Sequence, residues 1–525
     1  MTESNEHSTD AQTDGGEDLS REEASFVEYG IEDKPPLGTS IFLGLQHYLT
    51  MIGATIAIPL ILAGLMEMPP DATARLIGTF FVVSGVATLA QTTIGNRYPI
   101  VQGGTFALLA PAIAIITAAS AQGLGYEATL RELQGAIIVA ALIQVAIGYS
   151  GLIGKVKRYL SPVVIAPVIV LIGLSLIDVG DVTMQEQNWW LLGLTMALII
   201  LFSQYLDKYS RYAKLFPVLL GIAIAWIIAA ALSVAGVYGP ETVGYVDFGQ
   251  ITEASLIQPV YPLQWGMPTV TASFTIGIFA GILASMVESI GDYFAVARIA
   301  GVAAPSEKRI SHGIGMEGVG NVFAGIMGTG NGSTSYGENI GAIAISGVAS
   351  RYVVQIGGIV MIVVGYVGYF GGLITTIPTP IVGALYITMF GQIAAVGLSN
   401  LKYVDLDASR NMFIVGISLF LGLSLPFYFG NFAGPEEFRL YAEGATLIGP
   451  VLGEQVVGDT IFVIGSTQMA VGGIIALLLD LTVDGTREER GLTHWDQLSE
   501  DDDEFVTAWE EWRGKERPPT GTSGD

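Results

Sequence analysis

Apolar runs long enough to cross ~30 Å of hydrocarbon recur along the chain, separated by short polar loops. The first runs from Ile41 to Gly64, and others lie near 74–94, 98–119, 133–151, 162–178, 189–206 and 216–237. A second set follows near 270–299, 313–327, 333–347, 351–370, 377–397, 408–425 and 461–479. The pattern predicts fourteen membrane spans. Two of them, 98–119 and 333–347, break the pattern: each opens with small polar residues, Gln102-Gly-Gly-Thr-Phe106 and Ser333-Thr-Ser-Tyr336, before a short apolar stretch. These are the third and tenth spans, seven apart. Glycine-interrupted spans at matching positions predict two inverted seven-span repeats, each with an extended segment leading into a half-helix. Irregular backbone at that depth persists only where it is buried in protein or lines a cavity.

Composition agrees with a membrane protein. The 525 residues are 51% hydrophobic and 14% charged, against about 25% charged in soluble domains. The chain has no cysteine, which excludes disulfides, thiol catalysis and thiolate metal sites. Its four histidines, His7, His47, His312 and His494, form no metal-ligand pair by spacing, so no metal or other cofactor is expected.

Charge orients the spans. With the N-terminus in the cytoplasm, the cytoplasmic loops hold Arg97, Lys155, Lys157, Arg158, Lys208, Arg211, Lys214, Arg298, Lys308, Arg309, Arg351, Lys402 and Arg410. The opposite loops hold Arg75, Arg131 and Arg439. This positive-inside bias predicts that both termini are cytoplasmic in a multi-pass protein of the plasma membrane. The net charge of −25 sits largely in acidic tails, which read as solvated, with a short helix expected around Phe505–Trp512. Acidity of this degree with eight lysines resembles proteins adapted to high salt. No leader precedes the first span, so no signal peptide is indicated.

Carboxylates inside spans carry the chemistry. Glu288 and Asp292 lie one turn apart on one helix face of the eighth span, and Glu338 opens the tenth. Such groups are costly in a membrane and mark substrate or proton pathways. A proton-coupled carrier needs carboxylates whose proton affinity depends on ligand and water; a satisfied core network is the bland alternative. Gln46 and His47 read as structural, and Glu317 is expected at interfacial water or beside Arg309. Phe106 is a packing aromatic or a residue whose backbone N–H faces a ligand. GTGNG at 328–332 is no phosphate loop, because no Gly-Lys-Ser/Thr follows. No nucleophile–base pair or metal cluster supports an enzyme, and buried carboxylates argue against an inert scaffold. The remaining class is a secondary transporter.

Four motifs in order resemble the nucleobase–ascorbate transporters, also called nucleobase:cation symporter-2 or uracil–xanthine permeases. They are Gln46-His47-Tyr-Leu-Thr-Met51-Ile-Gly53-Ala54, Gly104-Thr105-Phe106-Ala107-Leu-Leu-Ala-Pro111, Glu288-Ser-Ile-Gly291-Asp292 and Glu338-Asn339-Ile340-Gly341 with Ser346-Gly347. The resemblance runs from about Leu45 to Leu479. It implies a core domain at 41–151 and 261–371, a gate domain at 152–260 and 372–480, tails at 1–40 and 481–525, and a homodimer. It implies that Glu288 and Glu338 accept hydrogen bonds from ring N–H groups of a nucleobase. Backbone N–H groups of Phe106 and Gly337 would donate to its carbonyl oxygens. Ala54, Phe106 and Tyr336 would wall the ring, with Gln46, His47 and Asn339 supporting. Tyr336-Gly337-Glu338-Asn339 resembles the uracil carriers, whereas Asp292, the run Gly328–Thr334 and the stretch Ala395–Asn400 resemble the xanthine, urate and sodium–ascorbate branches. The expected activity is import of a nucleobase, uracil first, by proton symport, with Asp292 and Glu338 in ion coupling. The alternative is a xanthine or urate carrier, or a sodium-coupled symporter of the ascorbate-like branch.

Overall fold

The computed structural model describes residues 27–152, 161–177, 188–492, 502 and 504–515. The described residues are mostly helical. Among the described residues, seven helices are long and apolar enough to cross a membrane. They are α1 (Leu37–Leu65), α2 (Pro70–Thr93), α4 (Tyr126–Tyr149), α7 (Pro217–Val234), α8 (Ala272–Ile299), α13 (Thr379–Asn400) and α14 (Ser409–Phe429). Shorter helices fill the other predicted spans: α3 (Leu109–Ala121), α5 (Pro162–Leu174), α6 (Trp189–Ile200), α9 (Glu307–Met327), α10 (Gly337–Ser346) and α11 (Arg351–Gly365). A further short helix, α12 (Gly368–Thr375), was not foreseen. Beyond α15 (Pro435–Glu443), the fourteenth predicted span divides into α16 (Gln455–Gly465) and α17 (Gln468–Thr482), bent by 94°. Each predicted span thus falls on a helix or half-helix.

Local sequence explains the ends. Proline opens α2 and α5, where its missing N–H costs nothing. Ser306 caps α9 by accepting from Arg309 N, and Gly328 closes it in the left-handed region at φ +79°.

Packing sorts the helices into two groups. In the first, α4 lies along α9, and α11 packs against α2 and α1. This group also holds α8, α10 and the half-helix α3. Glycines set the approach: a Cβ on Gly44 of α1 would lie 2.8 Å from Val353 O and 2.9 Å from Gly357 N of α11. In the second group, α5 packs on α13, α14 and α17, while α6 packs on α7 and α13. The groups meet where α1 touches α7 and α13 and where α8 touches α5, α16 and α17.

Parts of both acidic tails fold against this body. Tyr29 pairs with Val348, and Glu32 bridges Arg351 at 2.7 Å. The short helix expected near the C-terminus is present as α18 (Ala508–Trp512), with a capping box between Thr507 and Glu510. The remaining tail residues that were read as solvated lie outside the described residues.

Candidate substrate site

The two irregular segments find each other. Strand β1 (Gln102–Gly103) pairs antiparallel with β2 (Thr334–Ser335), Gln102 opposite Ser335 and Gly103 opposite Thr334. Because the strands run in opposite directions, the helices that follow them leave the pair in opposite directions, and their N-termini face a common centre. Side chains lock the pair. Gln102 N donates to Thr88 Oγ1 at 2.9 Å, and Gln102 Nε2 donates to Ser335 Oγ at 2.9 Å. Thr105 N donates to Asn331 Oδ1 at 2.8 Å, and Tyr336 N to Val101 O at 3.0 Å.

At one N-terminus, Phe106 begins a 3₁₀ turn that leads into α3, with Thr105 Oγ1 accepting from Ala107 N at 3.1 Å. The buried Phe106 ring stands edge-on to Phe390 of α13 at 6.0 Å. At the other, Tyr336 precedes α10 without a side-chain cap, and the Glu338 carboxyl accepts from its own backbone N–H in the first turn. Asp292 approaches here: its Oδ1 lies 3.3 Å from where a Cβ on Gly337 would sit. A carboxylate is favoured at a helix N-terminus. Glu288, one turn earlier, is an electrostatic neighbour of Glu338 and Glu317. Glu288 Oε2 and Asp292 Oδ2 are buried without a hydrogen-bond partner. Those orphaned oxygens fit acceptors awaiting a donor.

A cavity of about 180 Å³ opens between the two groups of helices. Its walls include Thr50, Gly53 and Ala54 of α1, Glu338 and Gly341 of α10, and Met389 and Gln392 of α13, with Lys214 and Pro217 at one side. Of the residues expected from sequence, Ala54 and Glu338 line this cavity; Glu288, Asp292, Phe106, Tyr336 and Gly337 are not part of its wall. Gln46 is buried, and His47 Nδ1 lies 3.1 Å from Asn339 Oδ1, whose amide donates to Pro99 O at 2.6 Å.

Glu317 is a correction. It does not meet interfacial water or Arg309. It is buried among α4, α8 and α9, where Gln144 Nε2 donates to Oε1 at 3.2 Å and Ser289 Oγ donates to Oε2. Ser285 and Ser289 also reach Thr334 Oγ1 of β2 at 2.9 and 3.0 Å. Sequence placed the helix start near 313, but Ser306 caps it, so Glu317 lies about 15 Å further along the axis than the first turn. Arg309 instead donates to Asn96 O and stacks on Tyr98 and Phe505. Lys214, Thr50 and Gln392 were also missed. Gln392 carried a signal, a lone amide within an apolar span; Lys214 read only as a loop charge.

Tyr336 is held over Gly103. A Cβ there would meet Tyr336 Cε2 and Cζ at 2.6 Å. Gly103→Ala should therefore displace the buried ring, lower uptake about tenfold and cost about 1–3 kcal/mol of stability, seen as a lower melting temperature. Uptake assays beside thermal melting check this.

The two broken spans meet at a polar centre within a helical, multi-pass body, and its relatives give the class: a membrane transporter, not an enzyme. The permease-family model Xan_ur_permease matches residues 38–430, and the chain belongs to the nucleobase–ascorbate transporter family, or nucleobase:cation symporter-2. It is 40% identical to human solute carrier family 23 member 2 over 90% of this chain and 77% of that protein. It is 38% identical to rat solute carrier family 23 member 1, covering 89% and 82%, and 35% identical to Arabidopsis thaliana nucleobase-ascorbate transporter 1, covering 90% and 93%. Among solved structures, the transmembrane domain of the cyanobacterial bicarbonate transporter BicA aligns with TM-score 0.53 at 16% identity. That alignment covers 74% of this chain and 96% of that one, and it shows a shared fold.

Proposed function

We propose that the protein imports a nucleobase, uracil first and xanthine second, by symport with protons across the plasma membrane. The observation that carries this reading is Glu338. It is a carboxylate in the first turn of a half-helix, lining a cavity between two groups of helices. A planar base offers N–H groups to Glu338 and Glu288 and carbonyl oxygens to the N–H groups of Phe106 and Gly337. Ala54, Phe106 and Tyr336 then flank its faces. The cavity beside Ala54 and Glu338 is small against the ~300–1,000 Å³ of drug-sized pockets, and Glu288, Phe106, Tyr336 and Gly337 stand outside its wall, so in this reading the base passes from it to them.

In this reading all fourteen segments span the membrane, both termini are cytoplasmic, and the protein is a homodimer. The first group of helices is a core (41–151 and 261–371) and the second a gate (152–260 and 372–480). Rocking of core against gate exposes the centre to each side in turn. Asp292 and Glu338 couple the movement to the proton, because a carboxylate in this position changes its charge with ligand and with access to water.

A second reading, sodium-coupled carriage of an anionic solute as in the ascorbate-like branch, is favoured by Lys214 in the cavity wall and by Asp292 beside Gly337. Coupling separates the two. Uptake into proteoliposomes is expected to collapse with a protonophore and to be indifferent to replacing sodium by potassium. Strict sodium dependence would favour the second reading instead.

A further inference from the structure

The C-terminal segment is held at two places that belong to different groups of helices. Its earlier part is fixed to the second group. Asp480, at the end of α17, accepts from Arg410 Nη2 at 2.8 Å and from Arg490 Nη2 at 2.7 Å, and Asn411 Nδ2 donates to Glu489 O at 2.7 Å. Leu492 is buried.

Its later part is fixed to the first group. Phe505 is 1% exposed, with the Arg309 guanidinium 4.4 Å above its ring and the His312 ring 5.8 Å away. Lys308 Nζ donates to Phe505 O at 3.0 Å and to both Glu510 oxygens at 2.8 and 2.9 Å. Lys308 N donates to Asp502 Oδ1 at 2.8 Å. Arg97 Nη1 donates to Val506 O at 2.9 Å, and Arg97 pairs with Glu511 at 2.7 Å. A buried aromatic anchor ringed by charge-assisted hydrogen bonds is how a peptide-recognition site is built.

We propose that the face formed by Arg97, Lys308, Arg309 and His312 is a docking site for an acidic, aromatic peptide. Its occupant is the chain's own Asp502 with residues 504–512, and their docking braces core to gate. The bracing part rests on the core-and-gate reading above; the docking part does not. An exposed ion pair alone is worth little, but here the pairs surround a ring taken out of water, and the acidic residues answer basic ones position by position. Lys308, with Thr507 assisting and Lys515 4.0 Å away, holds the Glu510 carboxyl down at about 2. Its contribution to docking is therefore complete above the ordinary carboxylate range and is lost as pH falls through about 2. High salt weakens the outer pairs and leaves Phe505 seated.

The absence of cysteine allows a direct test. Trp512 is 75% exposed, and Trp512→Cys takes one spin label. In vesicles the label should be immobilised in the otherwise native chain, released by Lys308→Glu, and immobilised again when Glu510→Lys is added. A label equally immobile with Lys308→Glu overturns the docking. A second label pair, Val302→Cys beyond α8 and Leu406→Cys before α14, reads the separation of the two groups. Ending the chain at Leu492 should broaden that distance distribution; an unchanged distribution overturns the brace. Neither readout depends on transport, so a chain that carries no nucleobase counts against the proposed function alone.

Discussion

Uracil uptake falls by at least about a hundredfold when Glu338 is replaced by Gln, because a site built around one hydrogen-bonding partner rejects its mismatch strongly. Glu338 stands in the first turn of α10, where it meets the cavity with an acceptor-only side chain. An amide of the same shape keeps one acceptor oxygen but loses the negative charge and puts an N–H donor where the second carboxylate oxygen stood. The fold should survive, since the substitution removes no packing volume. Initial uptake rates at matched protein levels check this, and unchanged uracil uptake would contradict the assignment of Glu338.

Glu317→Ala should act through stability. Gln144, Ser285 and Ser289 all donate to this carboxylate, and Ser285 and Ser289 also hold Thr334 in β2. Removing the acceptor strands buried polar groups at a cost of about 3 kcal/mol or more. The melting temperature in detergent should drop, and uptake should fall with it, because β2 loses its backing. Glu317→Gln, which keeps the shape and one acceptor oxygen, should lose distinctly less. Equal melting temperatures for the alanine variant and the parent would show that the network does not hold β2.

Much of this arrangement was legible in the chain because apolar length and glycine interruptions are strong signals. The segments at 98–119 and 333–347 were marked by polarity where a membrane span should be apolar, and they are the two that pair as β1 and β2. Glu288, Asp292 and Glu338 were marked by charge alone. Helix bounds were harder to read. The charged stretch Glu307–His312 reads as loop, which puts the span's start at 313 and Glu317 near the surface, whereas these residues form the first turns of α9. The bend between α16 and α17 lies at Ser466-Thr467, residues that carry no strong break signal. The cavity wall joins residues far apart in sequence. Thr50, Lys214 and Gln392 come together only through packing of α1 and α13 with the residues that precede α7, which no local pattern encodes. The docked C-terminal segment is hidden in the same way: its acidic composition reads as solvated, and only the fold brings Arg97 and Lys308 opposite Glu511 and Glu510.

The central claim is that Glu338 and its surroundings bind a nucleobase, and labelled uracil uptake into proteoliposomes with unlabelled competitors tests it most directly. The account predicts that uracil accumulates, that excess xanthine reduces the signal, and that ascorbate does not. Absence of uracil accumulation, with ascorbate carried instead, would contradict it.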